Sequence, residues 1–579
     1  MNLELQKGSR SRILAGLIFA IVGIFVIRLF YLQIIQHNYY VGLADNEQIK
    51  ILTFPAKRGL IYAMDGSMPV QLVLNQTVYT VIADPLNVKD EQKVIDIVHQ
   101  VAGGNARPNL DALLANKESR YAILATKITQ TQAQKIKDQN LLGVILQQGT
   151  QRVYPEGNLA AQTLGFVNDN GVGQYGIEGA LNSQLKGTDG VLKTVTDVSD
   201  VPLTIGDKNI NKPAVNGKNV VLSIDRNIQA HTEQALADGL ARTGATNGSA
   251  IVMDPNTGHV LAMANIPTYD PTNYSQVQDA TNYNNPIISS PYEPGSDIKT
   301  FTFATAIEKG VITPDSTYNN TDYIKVGDIT ITNATKGQTG IITIQHAFTW
   351  SLNTGFVTVA QRLGDGTNIT DQARNTMYDY FHNKFGLGAL TGIELTGEAV
   401  GTVIPPTDPQ GNAARYSNMS FGQGLDATMI QVVTGFSSVI NGGHYYKPSV
   451  IAGSIDATGN YSPSAIAPPI RTTISASTSA QMRTALQVAR ALFDNKHDLP
   501  GYIIGGKTGT SQVAENGTYA TNETIGTYLG FGGNDTPKYA IMIQLSGKGK
   551  ELQGEKHAMP VFTDISNWLL NYLKVQPKG

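Results

Sequence analysis

Residues 501–510 read GYIIGGKTGT, and the fold of the chain turns on how these ten residues are built. The first eight fit the phosphate-binding pattern G-x-x-x-x-G-K-[ST]. The same residues contain Lys507-Thr508-Gly509, a triplet that completes a serine acyl-transfer site when Ser-x-x-Lys and Ser-x-Asn accompany it. The two readings demand different surroundings. A phosphate loop must run into a helix, because the helix N-terminus supplies the N–H groups and the positive potential that hold phosphate. Residues 508–526, TGTSQVAENGTYATNETIG, are rich in Gly, Thr and Asn and show no apolar repeat at the helical period. AIVMD at 250–254 imitates a magnesium-binding strand end, yet it runs into the turn Pro255-Asn256-Thr257-Gly258 of an expected hairpin. A nucleotide site is therefore rejected.

Upstream, YEPGSDIKTFTFATAIEKG (292–310) supplies Ser296 and Lys299. Pro294 and Gly295 interrupt the preceding chain, and Phe301, Phe303, Ala304 and Ile307 carry a helical apolar pattern. Three residues apart on a helix, Ser296 and Lys299 share a face. A serine hydroxyl needs a base to become a nucleophile, and a lysine buried beside it can have its pKa lowered enough to serve. Alone, such a tetrapeptide usually marks a solvated helix face. The second element, Ser351-Leu352-Asn353 in TWSLNTGFVTVAQRLG, alone reads as a simple cap and turn. Three elements in the right chain order, each beside the right kind of segment, outweigh those bland readings.

On these residues the chain resembles a class B penicillin-binding protein, a membrane-anchored peptidoglycan D,D-transpeptidase. RLFYLQI (28–34), PAKRGLIY (55–62), RVYPEGNLAAQTLGFV (152–167), GQYGIEGALNSQLKGTDG (173–190), SFGQGLDATMIQ (420–431) and GGKTGTSQ (505–512) extend the similarity along almost the whole chain. One departure is Ala63-Met64 before Asp65-Gly66, where the family usually has Asp-Arg. It bears on the contacts of the non-catalytic module, not on the chemistry.

The resemblance implies an α+β transpeptidase domain with an antiparallel five-stranded sheet and helices on both faces, standing on an elongated mixed α/β pedestal of the dimerisation type. It implies Ser296 as nucleophile, Lys299 as base, Ser351 as proton relay and Asn353 as holder of the donor peptide. Lys507, Thr508 and Thr510 would receive the substrate carboxylate, with Gly506 and Gly509 allowing close approach. The backbone N–H groups of Ser296 and Thr510 would form the oxyanion hole. Substrates would be peptidoglycan stem peptides on lipid II-derived glycan strands, and β-lactams would inhibit. The implied partners are a polytopic glycosyltransferase of the shape, elongation, division and sporulation (SEDS) type and divisome membrane proteins. TYLGFGGNDTPKYAIMIQL (527–545) looks more like the division-type than the elongation-type enzymes. A D,D-carboxypeptidase, a β-lactamase or a β-lactam sensor would carry the same triad, although a sensor would place it behind several membrane spans.

The rest of the chain fits this reading. Lys7, Arg10 and Arg12 precede the apolar run Ile13–Ile27, which continues past Arg28 to Ile35. Residues 13–35 are long enough to span a bilayer, and the charge asymmetry predicts a cytoplasmic tail (1–12) and an extracytoplasmic body. No small-x-small cleavage site follows the run. Residues 40–222 form the expected pedestal and 223–579 the transpeptidase domain. A length of 579 residues implies more than one domain. A net charge of -3 does not suit a nucleic-acid surface. Zero cysteines excludes thiolate chemistry and disulfides. The nine histidines show no metal-ligand spacing, so neither metal nor cofactor is expected.

Overall fold

The computed structural model describes residues 7–40, 49–195, 210–494, 496–515 and 518–578. They form two compact units, Met1–Lys57 with Gly187–Gly217, and Arg58–Lys186 with Lys218–Gly579. The first unit contains the helix Lys7–Phe30, prolonged by a π-helical turn Tyr31–Ile35. Its apolar span, Arg10–Ile35, has no buried residue and is long enough to cross a membrane. The same unit holds a three-stranded antiparallel sheet of Ile49–Phe54, Gly190–Val195 and Ile210–Lys212. Residues 1–6 of the expected tail, and 41–48 and 196–209 of the expected pedestal, lie outside the described residues.

The pedestal part of the second unit is built on the long strand Met68–Ala83, which pairs antiparallel with Ile61–Asp65, Ala122–Ile128 and Val144–Val153. Its central ion cluster draws on three of the stretches that carry the resemblance. The Glu178 carboxylate accepts from Arg58 Nε at 2.7 Å and from Arg152 Nε at 2.6 Å. Arg152 also donates to Asn75 Oδ1, and Arg58 to Asn182 Oδ1. Gly173 has no side chain because Arg58 and Glu178 occupy the place: a Cβ there would lie 2.6 Å from Arg58 Nη2 and 1.9 Å from the Glu178 carbonyl.

Strand Asn219–Asp225 joins this module to the rest. It runs parallel to Ile61–Asp65 and antiparallel to Ile451–Ile455, giving one seven-stranded sheet. The expected boundary near residue 222 thus falls inside a strand, and residues from both expected domains share a sheet.

The catalytic part is organised on a second sheet of strands β1 (Asn247–Met253), β2 (Val260–Ile266), β3 (Ile503–Glu515), β4 (Thr518–Gly533) and β5 (Pro537–Ser546). Their spatial order is β2-β1-β5-β4-β3, antiparallel throughout. β1 and β2 form the expected hairpin around Asp254–Gly258. The alternation of strand side chains divides the core. Ala250, Val252, Ile541 and Ile543 face one way, onto α1 (Arg226–Thr243) and the C-terminal helix Met559–Tyr572. Ile251, Met253, Ala540 and Met542 face the other, onto α2 (Lys299–Glu308), α3 (Asn353–Arg362), α4 (Met429–Ile440) and α5 (Ala476–Asp494). Helices cover both faces, as the resemblance implies. In the C-terminal helix Leu569 and Leu570 are buried and Trp568 stacks on Tyr572 and His231. Leu573 lies past the helix end and is exposed.

Candidate active site

Local sequence places each functional side chain. Gly295 takes a φ of +57°, opening a tight 3₁₀ turn over Gly295–Ile298 that leads into α2 and presents Ser296. A Cβ on Gly295 would stand 2.8 Å from the Thr510 carbonyl, so the nucleophile turn lies against β3. From the other side the SFGQG stretch backs this turn. The Gly295 N–H donates to the Gly422 carbonyl at 3.0 Å, and a Cβ on Gly422 would fall 1.7 Å from the Gly295 oxygen. Ser351 sits between the short helix Ile344–Thr349 and α3 with a φ of +56°, a sparsely populated conformation for a residue with a side chain. That reversal turns both its carbonyl and its hydroxyl toward Lys299.

Lys299 Nζ is the meeting point. It lies 2.9 Å from Ser296 Oγ, 2.7 Å from the Ser351 carbonyl oxygen, 3.1 Å from Ser351 Oγ and 2.8 Å from Asn353 Oδ1. Ser296, Lys299, Ser351 and Asn353, 57 residues apart at the extremes of the sequence range, thus converge on one atom. The carbonyl and the amide oxygen can only accept, so they take two N–H bonds from Nζ. A neutral amine would keep its lone pair for the hydroxyl of Ser296. Lys299 is fully buried, and burial, followed by the repulsion of Lys507, lowers its pKa well below the usual lysine range. Asn353 is held at its other end, where Nδ2 donates to the Thr332 carbonyl at 3.0 Å.

The stretch around 507 is a strand, not a loop feeding a helix. Lys507, Thr508, Gly509 and Thr510 pair in register with Leu529, Tyr528, Thr527 and Gly526 of β4, on the edge strand of the sheet. Thr508 and Thr510 line a cleft of about 870 Å³ together with Ser296, Ser351, Asn353, Phe421, Gln423 and residues 329–335 of a hairpin that walls one side. Lys507 does not line it. Its side chain is 1% exposed, with Nζ donating to the Thr508 carbonyl at 2.9 Å and standing 3.3 Å from Thr508 Oγ1. Its influence therefore reaches the cleft through Thr508. The Thr510 hydroxyl accepts from the Gly554 N–H at 3.3 Å.

Several residues of the site carried no signal by themselves. Asn333 and Thr354 are buried, and Asn333 Oδ1 accepts from the Thr354 N–H at 3.0 Å, satisfying an orphan donor at the start of α3. This ties the hairpin wall to the helix bearing Asn353. Glu293 accepts from the Gly424 N–H and from the Tyr519 hydroxyl, joining the nucleophile segment to the SFGQG stretch and to β4. Asp297 is fully buried between the nucleophile turn and β4.

The penicillin binding protein transpeptidase domain model matches residues 248–567, and the penicillin-binding protein dimerisation domain model matches 53–222. The chain belongs to the penicillin-binding protein family. Among curated relatives, this class B penicillin-binding protein is 32% identical over 498 residues to penicillin-binding protein PbpB of Mycobacterium tuberculosis, covering 83% of this chain and 71% of the relative. It is 27% identical over 582 residues to peptidoglycan D,D-transpeptidase FtsI of Escherichia coli, covering 98% and 92%. Its fold is similar to that of penicillin-binding protein 3 of Mycobacterium tuberculosis complexed with aztreonam, with a TM-score of 0.67 and 27% identity, covering 91% of this chain and 98% of that one. The transpeptidase match spans the three motifs, and the dimerisation match spans the Arg58–Arg152–Glu178 cluster.

Proposed function

We propose that this penicillin-binding protein crosslinks peptidoglycan stem peptides through an acyl-enzyme on Ser296. The observation that carries the reading is the buried amine of Lys299 within hydrogen-bond distance of both serines and Asn353. Ser296 Oγ attacks the carbonyl of the penultimate D-Ala while Lys299 Nζ takes its proton. The N–H groups of Ser296 and Thr510 receive the developing oxyanion. Ser351 relays a proton to the departing amine, the peptide C–N bond breaks, and terminal D-Ala leaves. An amino group of a neighbouring stem then attacks the ester, gives up a proton, forms the crosslink and frees Ser296. Asn353 orients the donor stem, and Lys507, through Thr508, acts together with Thr510 on the terminal carboxylate. β-Lactams would acylate the same serine.

The transpeptidase domain is taken as residues 223–579 on a pedestal of 40–222. The apolar helix serves as a single-pass anchor at 13–35, with the preceding basic residues on the cytoplasmic side and the body outside. The resemblance of residues 527–545 to division-type enzymes supports a septal role, beside a SEDS-type glycosyltransferase and divisome membrane proteins. The test is gel labelling of the full chain in detergent with a fluorescent penicillin, beside Ser296→Ala. The expected result is a covalent band that disappears in the variant. A folded wild type that stays unlabelled would refute the reading.

A further inference from the structure

Two buried lysines share one site and need opposite charge states. A base at Lys299 must be neutral, whereas a carboxylate anchor at Lys507 must be charged. Both are buried, and each cation disfavours the other. If both were charged the site would lack a base, and if both were neutral it would lack a cation. The geometry around Asp297 resolves this conflict.

Asp297 follows the nucleophile directly and is fully buried. Its Oδ2 accepts from Thr527 Oγ1 at 2.7 Å, and Thr527 stands opposite Gly509 in the β3–β4 ladder. The missing side chain of Gly509 makes the room, since a Cβ there would lie 2.8 Å from Asp297 Oδ2. Lys507, two residues before Gly509, belongs to the same face of β3. The carboxylate therefore lies on the Lys507 face of the strand, with no direct ion pair between the two among the described residues. Two residues apart on a helical turn, Asp297 and Lys299 do not face each other. The second oxygen, Oδ1, is buried without a hydrogen-bond partner among the described residues. A carboxylate so placed, with one hydroxyl donor, is unfavourable unless a cation compensates it. The ionisable groups around it are Lys507 from β3 and Tyr292 from the segment before the nucleophile turn.

We propose that Asp297 distributes the positive charge of the site: its carboxylate keeps the proton on Lys507 and so leaves Lys299 as the neutral base. The inference rests on the roles proposed above for the two lysines. Asp297 is a positioning residue that touches no substrate and acts through Lys507. Burial raises the Asp297 carboxyl to about 7 and lowers Lys507 to about 8, with their mutual attraction opposing both shifts. The cation retained on Lys507 then adds to burial in keeping Lys299 deprotonated.

The test is the rate of acylation of the full chain in detergent by a fluorescent penicillin, as a function of pH and penicillin concentration, for wild type, Asp297→Asn and Thr527→Val. Asn has the shape of Asp and still accepts from Thr527, so only the charge is lost. In Asp297→Asn the alkaline limb moves about one pH unit toward acid, and acylation at pH 8.5 falls about tenfold. At pH 6.5, where the wild-type carboxyl is itself largely protonated, the rate stays within about twofold. The loss appears in the concentration for half-maximal rate, because carboxylate binding has weakened. Thr527→Val removes the one donor to Asp297, raises that carboxyl further and shifts the limb the same way by less. An alkaline limb at the wild-type position in Asp297→Asn, with or without a uniform loss of rate, overturns the proposal. If Asp297→Asn shows no cooperative melting, an unmoved limb in Thr527→Val overturns it. A wild type that takes no label, or a label that survives Ser296→Ala, sinks the underlying acyl-enzyme reading instead.

Discussion

Removing the carboxylate of Glu178 tests what holds the pedestal together. Arg58, Arg152 and Glu178 side chains are 9%, 4% and 0% exposed, so solvent cannot replace the lost anion. In Glu178→Ala two guanidinium groups stay buried without their counter-charge. Breaking one buried pair in this way costs about 3–5 kcal/mol. The two pairs share one carboxylate and both arginines keep an asparagine acceptor, Asn75 or Asn182, so the effects do not add. The expected destabilisation of Glu178→Ala is about 4 kcal/mol, and that of Glu178→Gln, which keeps the shape and an acceptor, about 2 kcal/mol. A combined Arg58→Met, Glu178→Leu, Arg152→Met variant removes every charge together and should lie within about 2 kcal/mol of wild type. The assay is pulse proteolysis of the detergent-solubilised chain across a urea series, following the fragments that arise from residues 58–186. A midpoint shift for Glu178→Ala worth less than about 1 kcal/mol would refute the reasoning. So would a combined variant as unstable as Glu178→Ala, since packing and not charge compensation would then be responsible.

Lys299→Met, which keeps most of the side-chain volume, should slow acylation about 10²–10⁴-fold while the protein still melts cooperatively. A loss below tenfold would remove Lys299 from the base role. In wild type the acylation rate should fall on the acid side as Lys299, held well below the usual lysine range, takes up a proton. On the alkaline side it should fall as Lys507, lowered to about 8, loses one. A rate that keeps rising through pH 10 would contradict this assignment, as a stopped-flow pH series would reveal. Gly295→Ala meets both a φ of +57° and a Cβ contact 2.8 Å from the Thr510 oxygen, so a loss of about 2–3 kcal/mol and a slower acylation are expected. Thermal melting and penicillin labelling check this together, and unchanged values in both would argue against the tight turn.

The motif order and the absence of a helix after Lys507 were legible because they are local. A stretch lacking an apolar helical repeat cannot start the helix a phosphate loop needs, and 503–515 is indeed a strand. Ser296 and Lys299 were readable for the same reason, being one helical turn apart. The convergence of Ser351 and Asn353 on Lys299 was available only through the resemblance, since nothing in residue spacing brings position 351 to position 299. Lys507 was expected to meet the substrate directly, yet it is buried and donates to the Thr508 carbonyl. Strand alternation makes successive side chains face opposite ways, but which way a given residue points depends on what packs behind the strand. SFGQG stood out as a marker without a role, because its contact with Gly295 links residues 127 apart in the chain and rests on backbone atoms. Asp297 carried no pattern at all, as one acidic residue beside a serine is ordinarily solvent-facing. The boundary near residue 222 rested on a change in local pattern, and local pattern does not report that Asn219–Asp225 pairs with strands far away on both sides.

That pairing has a consequence for biogenesis. The sheet unites strands from residues 61–65, 219–225 and 451–455. A chain made from its N-terminus offers Ile61–Asp65 and Met68–Ala83 to each other early, as a short-range hairpin. The parallel neighbour arrives only after more than a hundred further residues, and the antiparallel one after more than two hundred beyond that. Until then an open strand edge stays available for wrong partners, and long-range pairings of this kind form slowly. Truncations ending before Ile451 should consequently be prone to aggregate even with the pedestal sequence intact, and holdase chaperones should engage the nascent chain for longest in the interval before Ile451–Ile455 closes the edge.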